Sequence, residues 1–267
     1  MPPPGRCVVS RNLIPDSVNH MFRFVVAISL IGALSGCALV TPMPTPTPTA
    51  TIETPTPTPE PSPTYDATVF SIDDPMSIWV TANKLRPLNP TDFVPSDLVK
   101  TNAPSRADSR LRETAAASYE VMFRAAQEDG IDLVLVSAYR SYRTQVSVYN
   151  GWVARLGLAA ADLQSARPGH SEHQTGLSAD IAPKNGVCTI NECFGNTPEG
   201  EWLTENAWKF GWVLRYPKGL THVTGYKYEP WHWRYVGRGL AAHLHNTAPG
   251  VTLEEFFDLP PAPDYAE

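Results

Sequence analysis

The chain has 267 residues, with 27 acidic and 21 basic side chains, and its formal net charge at pH 7 is -6. It contains no run of Lys and Arg, which argues against a nucleic acid or another polyanion as partner. A Pro- and Thr-rich tract removes part of the chain from any folded core and leaves about 200 residues, the length of one catalytic domain. We therefore predict one domain behind an N-terminal extension.

Residues 1–37 are predicted to be a signal region rather than part of the fold. From Met21 onward, a short basic flank at Arg23 precedes an apolar run that is too short to span a bilayer comfortably. The segment LSGC at 34–37 resembles a bacterial lipobox, in which Cys37 is lipidated and becomes the mature N-terminus. An ordinary signal peptide or an uncleaved anchor is the alternative, and translation is predicted to begin at Met21. We expect an extracytoplasmic lipoprotein of a bacterial cell membrane, facing the cell wall.

Residues 38–64 are predicted to be a linker. Proline and threonine alternate through most of this segment, which favours extended polyproline II structure and offers no apolar surface to bury. At about 3.1 Å per residue, the tract reaches roughly 70 Å. The folded domain is then predicted over 65–267, with its core over about 80–250.

Periodicity predicts alternating helices and strands in the folded part, because helical spacing and short branched runs distinguish the two. The predicted elements, in chain order, are a helix over 108–127, a strand over 131–136, a helix between Ser141 and Gly157, a strand over 177–182, a helix over 202–210, strands over 212–216 and 232–236, and a short terminal helix over 240–245. Ser141 is a candidate N-cap, and Gly130 and Gly211 are helix stop signals. This order predicts an α+β fold with a small, mostly antiparallel sheet packed by helices.

Four residues in two short segments supply the minimum set for metal-assisted hydrolysis. His173 and Asp180 lie in SEHQTGLSAD, and Glu229 and His232 lie in EPWH. Together they provide three N and O ligands for zinc and one free carboxylate. Zinc ligands lie only roughly 3.4 Å apart, whereas seven residues of helix rise roughly 10 Å, so His173 and Asp180 cannot share one straight helix. Gly176 is predicted to turn the His173 loop back beside the strand that carries Asp180.

Glu229 is the candidate general base. Pro230 prevents a regular helix between Glu229 and His232, and a loop entering a strand would place both side chains near the metal. A carboxylate beside the attacking water can take its proton and pass it to the leaving amine. The alternative is that Glu229 is a surface charge beside a core Trp. His170 forms an H-x-x-H pair with His173 and is a rival ligand.

Four segments carry a resemblance to a known family: SAYRSYRTQ (137–145), PGHSEHQTGLSADI (168–181), FGWVLRYP (210–217) and EPWHWRYVG (229–237). They resemble the VanY-type D-alanyl-D-alanine carboxypeptidases, zinc peptidases of bacterial cell-wall metabolism, and the similarity covers about 80–250. The resemblance implies the hedgehog/DD-peptidase fold. It also implies that His173, Asp180 and His232 bind Zn²⁺, that Glu229 is the base, and that Arg140 helps to bind substrate and polarise the scissile carbonyl.

Further residues are candidates for the substrate pocket. A guanidinium suits recognition of a free carboxylate or an oxyanion, which gives Arg140 an independent rationale. The other candidates for the pocket wall, each with simple packing as the alternative, are Tyr139, Gln145, Ser171 and Trp231.

Two cysteines lie close together in GVCTINECFG. In an exported protein, Cys188 and Cys193 are predicted to form a disulfide that closes a small loop. A second metal site would need more ligands than this loop offers.

The residues and the resemblance together predict an exported zinc carboxypeptidase that removes the terminal D-Ala from peptidoglycan stem peptides. Its predicted partners are the stem peptide and, through the lipid, the membrane, and the protein is predicted to be a monomer. An L,D-carboxypeptidase and a peptidoglycan endopeptidase or dipeptidase with the same site stay open. So does a non-hydrolytic, zinc-stabilised module that binds the cell wall, although Glu229 argues against it. No G-x-S-x-G motif is present, which disfavours serine-type hydrolysis.

Overall fold

The computed structural model describes residues 65–107 and 109–266. All of them belong to one structural unit, Pro59–Glu267. The predicted signal region, the lipid site at Cys37 and the whole predicted linker over 38–64 lie outside the described residues. Within those described residues, no helix has both the length and the apolar character needed to cross a membrane.

The described part of the chain alternates short helices and strands. The strands are β1 (Leu98–Lys100), β2 (Arg110–Arg112), β3 (Leu133–Ser137), β4 (Ser178–Pro183), β5 (Trp212–Leu214) and β6 (His232–Tyr235). The α-helices are α1 (Glu113–Glu128), α2 (Tyr142–Leu156), α3 (Leu158–Asp162), α4 (Pro198–Asn206), α5 (Thr221–Thr224), α6 (Arg238–Thr247) and α7 (Leu253–Phe256). Short 3₁₀ helices cover Glu172–Thr175, Glu192–Asn196 and Ala207–Phe210. This mixture confirms the predicted α+β class.

The main sheet is antiparallel throughout, with its four strands in the order β3-β4-β6-β5. Successive side chains of a strand point to opposite faces. In the two central strands, Ala179, Ile181 and Trp233 belong to the main hydrophobic cluster. Asp180 and His232 occupy the alternate positions and are also buried. One face of the sheet therefore packs on the core, and the other carries buried polar side chains.

Helix α1 starts later than the sequence pattern predicts. The predicted helix over 108–127 begins at Glu113, because Arg110–Arg112 pairs instead with β1. Its apolar face, which includes Tyr119 and Met122, is buried in the main cluster. The helical periodicity predicts the helix itself correctly. A strand of three residues is too short to show the alternation of apolar and polar residues that indicates a strand.

Helix α2 begins and ends where its capping residues predict. The Ser141 hydroxyl accepts a hydrogen bond from the Thr144 amide, which satisfies a free N–H group of the first turn. Gly157 follows the last helical residue and has φ 78°. The predicted bounds of this helix are confirmed.

The helix predicted over 202–210 begins earlier and ends in a different form. Thr197 caps it, and Pro198 occupies the first turn. The N–H groups of a first turn have no partner within the helix, so a proline, which lacks this group, loses no hydrogen bond there. The last turn is the 3₁₀ helix Ala207–Phe210, and Gly211 ends it in the left-handed conformation. The sequence pattern places the start of this helix too late, because Thr197 and Pro198 precede the apolar residues that indicate the helix.

The C-terminal part extends further than predicted. The helix predicted over 240–245 spans Arg238–Thr247, and it is followed by α7, whose start is closed by a capping box between Thr252 and Glu255. Glu254 of α7 is fully buried. The segment beyond about 250 therefore contributes a charged side chain to the interior.

Gly176 makes the turn that the spacing of the metal ligands required. Its φ is 68°, in the left-handed region that favours glycine. A Cβ at this position would lie 2.8 Å from Leu98 Cδ2 and 3.0 Å from Arg112 Cγ. The turn sends the chain from the 3₁₀ helix Glu172–Thr175 directly into β4, and so brings His173 back beside Asp180.

Candidate metal centre and active site

The three predicted zinc ligands converge on one point. Asp180 of β4 and His232 of β6 are directly paired across the central strands, which places their side chains next to each other. His173 lies on the 3₁₀ helix that precedes β4. One ligand atom from each of the three residues lies within 4.8 Å of the other two. The structure thus brings together the set that the sequence predicts.

Hydrogen bonds and short contacts define which atoms face this point. His173 Nδ1 donates to the carbonyl oxygen of Ala138 at 2.7 Å, so Nε2 of the neutral ring carries a lone pair. That Nε2 lies 3.2 Å from Asp180 Oδ2, and His232 Nδ1 lies 3.2 Å from Asp180 Oδ1. Within the described residues, Asp180 Oδ1 is buried and has no hydrogen-bond partner. Two imidazole nitrogens facing one carboxylate form a donor set that fits Zn²⁺.

The surroundings of the ligands favour the metal-binding forms of His173 and Asp180 and oppose that of His232. Burial lowers the pKa of His173, so its ring is neutral near pH 7. Burial opposes ionisation of Asp180, but the two histidines hold the pKa of its carboxyl well below the usual range. Burial also works against a charged His232, yet the carboxylates of Asp180 and Glu172 outweigh it and raise the pKa of His232 to about 9. A proton and a metal ion therefore compete for this ring.

Glu229 is the carboxylate that the ligand set leaves free. Its Oε2 lies 3.8 Å from His232 Nδ1, and the residue is buried, so the alternative of a surface charge is wrong. The loop that carries it is held by its backbone, because the Glu229 amide donates to the Tyr216 carbonyl and the Glu229 carbonyl accepts from the His232 amide. Burial, reinforced by the charge of Asp180, raises the pKa of Glu229 to about 8. The raised pKa brings this carboxyl into the range near neutral pH in which a side chain can both accept and release a proton.

Arg140 lies just before the N-cap of α2 and approaches the metal ligands from there. Its backbone amide donates to the His173 carbonyl at 3.0 Å, and its Nη2 lies 3.8 Å from Asp180 Oδ2. The guanidinium is oriented by two hydrogen bonds, from Nη1 to Gln145 Oε1 at 2.8 Å and from Nη2 to Ser137 Oγ at 3.1 Å. Arg140 therefore offers a fixed cation at the wall of the cavity.

The metal ligands open into a cavity of about 160 Å³. Of the residues predicted for the pocket wall, Ser171 and Trp231 line this cavity together with Glu229 and Arg140. The structure places neither Gln145 nor Tyr139 on the wall. Gln145 is completely buried behind Arg140, where its amide nitrogen donates to Ser165 Oγ and the Ala166 carbonyl. Gln145 thus acts on the pocket through Arg140.

Part of the cavity wall is apolar. This part consists of the side chains of Val148 and Trp152 from α2 and of Ile190. Ile190 belongs to the loop closed by a disulfide between Cys188 and Cys193, the pair predicted from the sequence. The disulfide loop is therefore part of the cavity wall.

His170 lies outside the ligand group. Its Nδ1 donates to the Asn83 carbonyl at 2.8 Å, and its ring packs edge-on against Tyr265. The H-x-x-H pairing with His173 is thus not formed, because the ligand group consists of His173, Asp180 and His232.

A network of buried charges behind His232 was missed by the sequence reasoning. Glu172 accepts hydrogen bonds from Arg215 and Arg234, and Arg215 also pairs with Glu254. All four side chains are at most 1% exposed. An arginine within an apolar strand segment, as in WHWRYV and WVLRYP, was the available signal. A charge at such a position needs a buried partner.

Two histidines, an aspartate and a free carboxylate in one cavity define a mononuclear metallohydrolase site on an α+β fold. The sequence profile of the VanY family, described as D-alanyl-D-alanine carboxypeptidase, matches residues 108–238. YodJ of Bacillus subtilis (strain 168), which is named as a carboxypeptidase, is 39% identical over 193 residues, and the match covers 70% of each chain. The chain belongs to the VanY family.

Solved structures of related proteins share the fold. The LdcB LD-carboxypeptidase, described in terms of peptidoglycan recognition, is 39% identical, with a TM-score of 0.64 over 69% of this chain and 87% of that chain. VanYB in complex with D-alanine-D-alanine is 31% identical, with a TM-score of 0.57 over 67% of this chain and 96% of that chain.

A third structure bears on the metal. It is a glutamate-to-alanine mutant of the VanY D,D-pentapeptidase of the VanB-type cassette, in complex with Zn(II), and it is 32% identical with a TM-score of 0.56 over 66% of this chain and 97% of that chain. Its ion agrees with the ligand set His173, Asp180 and His232. The chain is a zinc metallopeptidase of the carboxypeptidase type.

Proposed function

We propose that the protein removes a C-terminal D-Ala from peptidoglycan stem peptides in a zinc-dependent reaction, with D-Ala-D-Ala ends as the substrate. The observation that carries this proposal is the grouping of three zinc ligands, the free Glu229 carboxylate and the Arg140 guanidinium in one cavity of a VanY-family chain. The buried Glu229 speaks against a non-hydrolytic binding module, because a merely structural zinc site needs no additional buried carboxylate.

Glu229 performs the proton transfers in this proposal. Zinc held by the three ligands supplies Lewis-acid polarisation and lowers the pKa of a water molecule. Glu229 accepts the proton of the attacking water and returns it to the nitrogen of the departing D-Ala, so the C–N bond breaks with no net change in the protonation of the enzyme. Its Oε2 lies 3.8 Å from His232 Nδ1, beside the site, and Glu229 is not a member of the ligand group.

Arg140 recognises negative charge in the substrate. Gln145 and Ser137 hold the guanidinium in place before substrate enters, so little side-chain entropy is lost on binding. Its N–H groups suit the oxyanion that develops on the scissile carbonyl, or the free carboxylate of the terminal D-Ala. Of these two interactions, only recognition of the free carboxylate is specific to a peptide cut at its C-terminal end.

An L,D-carboxypeptidase that acts on tetrapeptides is the second candidate. The likeness to the LdcB LD-carboxypeptidase favours it, because the identity of 39% and TM-score of 0.64 exceed the 31% and 0.57 found for VanYB. The chemistry at the three ligands and Glu229 is the same for both substrates. The two functions differ only in the residue that precedes the D-Ala.

Defined stem peptides separate the two functions. The zinc-loaded protein is incubated with pentapeptide and, separately, with tetrapeptide, and the products are weighed by mass spectrometry. Conversion of pentapeptide to tetrapeptide supports the D,D-activity, and conversion of tetrapeptide to tripeptide supports the L,D-activity. Release of a dipeptide, or cleavage inside the stem, would contradict both and indicate a dipeptidase or an endopeptidase.

We further propose that the domain works outside the cytoplasmic membrane, tethered by a lipid on Cys37 and spaced from the bilayer by residues 38–64. The LSGC segment and the Pro- and Thr-rich composition support this location, which also holds the proposed substrate. Labelled fatty acid should be incorporated into the full chain but not into a Cys37→Ser variant. Equal labelling of the two would contradict the anchor.

A further inference from the structure

Glu172 lies directly behind a zinc ligand but is not itself a member of the ligand group. It precedes His173 in the chain and begins the 3₁₀ helix Glu172–Thr175. The residue is 1% exposed, and its carboxylate lies on the side of the His232 ring away from Asp180. The proposed function assigns no role to Glu172.

The two oxygens of Glu172 have different surroundings. Oε1 accepts hydrogen bonds from Arg215 Nε and Arg234 Nη1, both at 2.8 Å. Oε2 accepts from Ser178 Oγ at 3.3 Å and faces His232 Nε2 at 3.5 Å. The two guanidiniums thus bind one oxygen and leave the other directed at the imidazole ring.

The rest of the network balances these charges. Arg215 Nη1 and Nη2 donate to Glu254 Oε2 and Oε1 at 2.8 and 2.6 Å, and Asn83 Nδ2 donates to Glu254 Oε1. Two arginines therefore face two glutamates in the protein interior. Two guanidinium groups that donate to one oxygen at 2.8 Å favour the ionised form of Glu172. Glu172 is a carboxylate, which can only accept hydrogen bonds.

Stability alone does not account for this arrangement, since apolar side chains of similar volume often replace buried ion pairs at no loss of stability. The geometry around His232 supplies another reason. His232 Nδ1 faces Asp180 and Glu229 and must be free of a proton to bind zinc. The proton of the neutral ring then resides on Nε2, which is buried and has no hydrogen-bond partner within the described residues. The carboxylate within 4 Å of it is that of Glu172, at 3.5 Å.

We propose that Glu172 is a positioning residue of the zinc site: its Oε2 receives the Nε2–H of His232 and so fixes the ring orientation and tautomer that present Nδ1 to the metal. Arg215 and Arg234 keep this carboxylate ionised and in place. A carboxylate behind a zinc-binding histidine raises the basicity of the ligand and orients it. The inference rests on the zinc site of the proposed function and requires no statement about the substrate.

Two buried glutamates of the same network provide a matched test. Glu172→Gln and Glu254→Gln each remove one charge that faces Arg215, but only Glu172 faces His232. In Glu172→Gln the amide oxygen faces the arginines, so the NH₂ group opposes the Nε2–H of His232. Zinc affinity is measured without substrate, by competition with a chelating dye. We expect a loss of about 10- to 100-fold for Glu172→Gln and an unchanged affinity for Glu254→Gln.

The outcomes distinguish positioning from general support of the fold. Wild-type zinc affinity in folded Glu172→Gln protein would overturn the proposal, and so would an equal loss of affinity in both variants. Thermal unfolding is recorded in parallel, because both variants break a buried ion pair and both melting temperatures are expected to fall.

A measurement on the wild-type protein applies even where Glu172→Gln does not fold. Long-range ¹H–¹⁵N correlation spectra of the zinc-loaded protein assign the proton on each imidazole. We expect His232 to carry its proton on Nε2 and to show a metal-bound Nδ1. A proton on Nδ1 would overturn the proposal. If the wild-type protein released no D-Ala, the proposed function would fail while both readouts of the Glu172 inference stayed valid.

Discussion

Replacing Glu229 by Gln is expected to reduce kcat on a stem peptide by about 10²- to 10⁴-fold, the contribution typical of a general base. The amide keeps the size of the side chain but cannot accept the proton of the attacking water. Zinc content is expected to stay at the wild-type level, because the ligand group consists of His173, Asp180 and His232. Steady-state kinetics and metal analysis of the same preparation check both statements.

An exposed glutamate provides the control for this substitution. Glu201 lies on α4 and is exposed, so Glu201→Gln removes one negative charge and should leave kcat and zinc content unchanged. Full activity in Glu229→Gln would refute the role of Glu229 as base. Loss of zinc from Glu229→Gln would instead make Glu229 part of the metal site.

Arg140→Ala is expected to lower kcat/KM by about 10²- to 10³-fold, the effect of removing a donor to a developing oxyanion. Arg140 lines the cavity and is held by Gln145 and Ser137, so its loss leaves the carbonyl or the carboxylate of the substrate without a cation. A fall in kcat would indicate stabilisation of the oxyanion. A rise in KM alone would indicate recognition of the terminal carboxylate.

Arg143→Ala is the matched control, since Arg143 lies three residues further along and is exposed. Its kinetics should equal those of the wild type, although the net charge changes by the same amount. Equal effects of the two substitutions would show that the charge of the surface, rather than the position of Arg140, determines activity.

Much of the site could be predicted from the sequence because local rules govern it. The spacing of His173 and Asp180 required a turn between them, and Gly176 makes that turn with φ 68°. An alternating strand predicted from His232 onward places that residue on one face, and in the structure His232 pairs directly with Asp180. Residue types, spacing and one glycine indicated the ligand set, and the resemblance to the VanY family left His170 out of it.

The parts that escaped prediction depend on contacts between distant segments. Glu172 was passed over because its partners Arg215 and Arg234 lie 43 and 62 residues further along the chain. Gln145 was expected on the pocket wall, but the fold buries it behind Arg140, where it orients the guanidinium. No local pattern reports either arrangement, because side-chain partners across a core are set by tertiary packing.

Some of the predicted helix and strand boundaries were wrong for a related reason. Arg110–Arg112 became a strand only because Leu98–Lys100 pairs with it, and the helical periodicity of 108–127 did not record that partner. In contrast, α2 was predicted at both ends, since Ser141 and Gly157 act within the helix termini themselves. Capping signals are local, whereas a three-residue strand exists only through its neighbour.

The central claim is that His173, Asp180 and His232 hold a zinc ion on which removal of D-Ala depends. The direct measurement is D-Ala release from stem pentapeptide and tetrapeptide by zinc-loaded protein and by protein stripped with a chelator. We predict release by the zinc-loaded protein, none by the stripped protein, and recovery when zinc is returned. Equal release by the stripped protein, or no release from either peptide by the zinc-loaded protein, would contradict the claim.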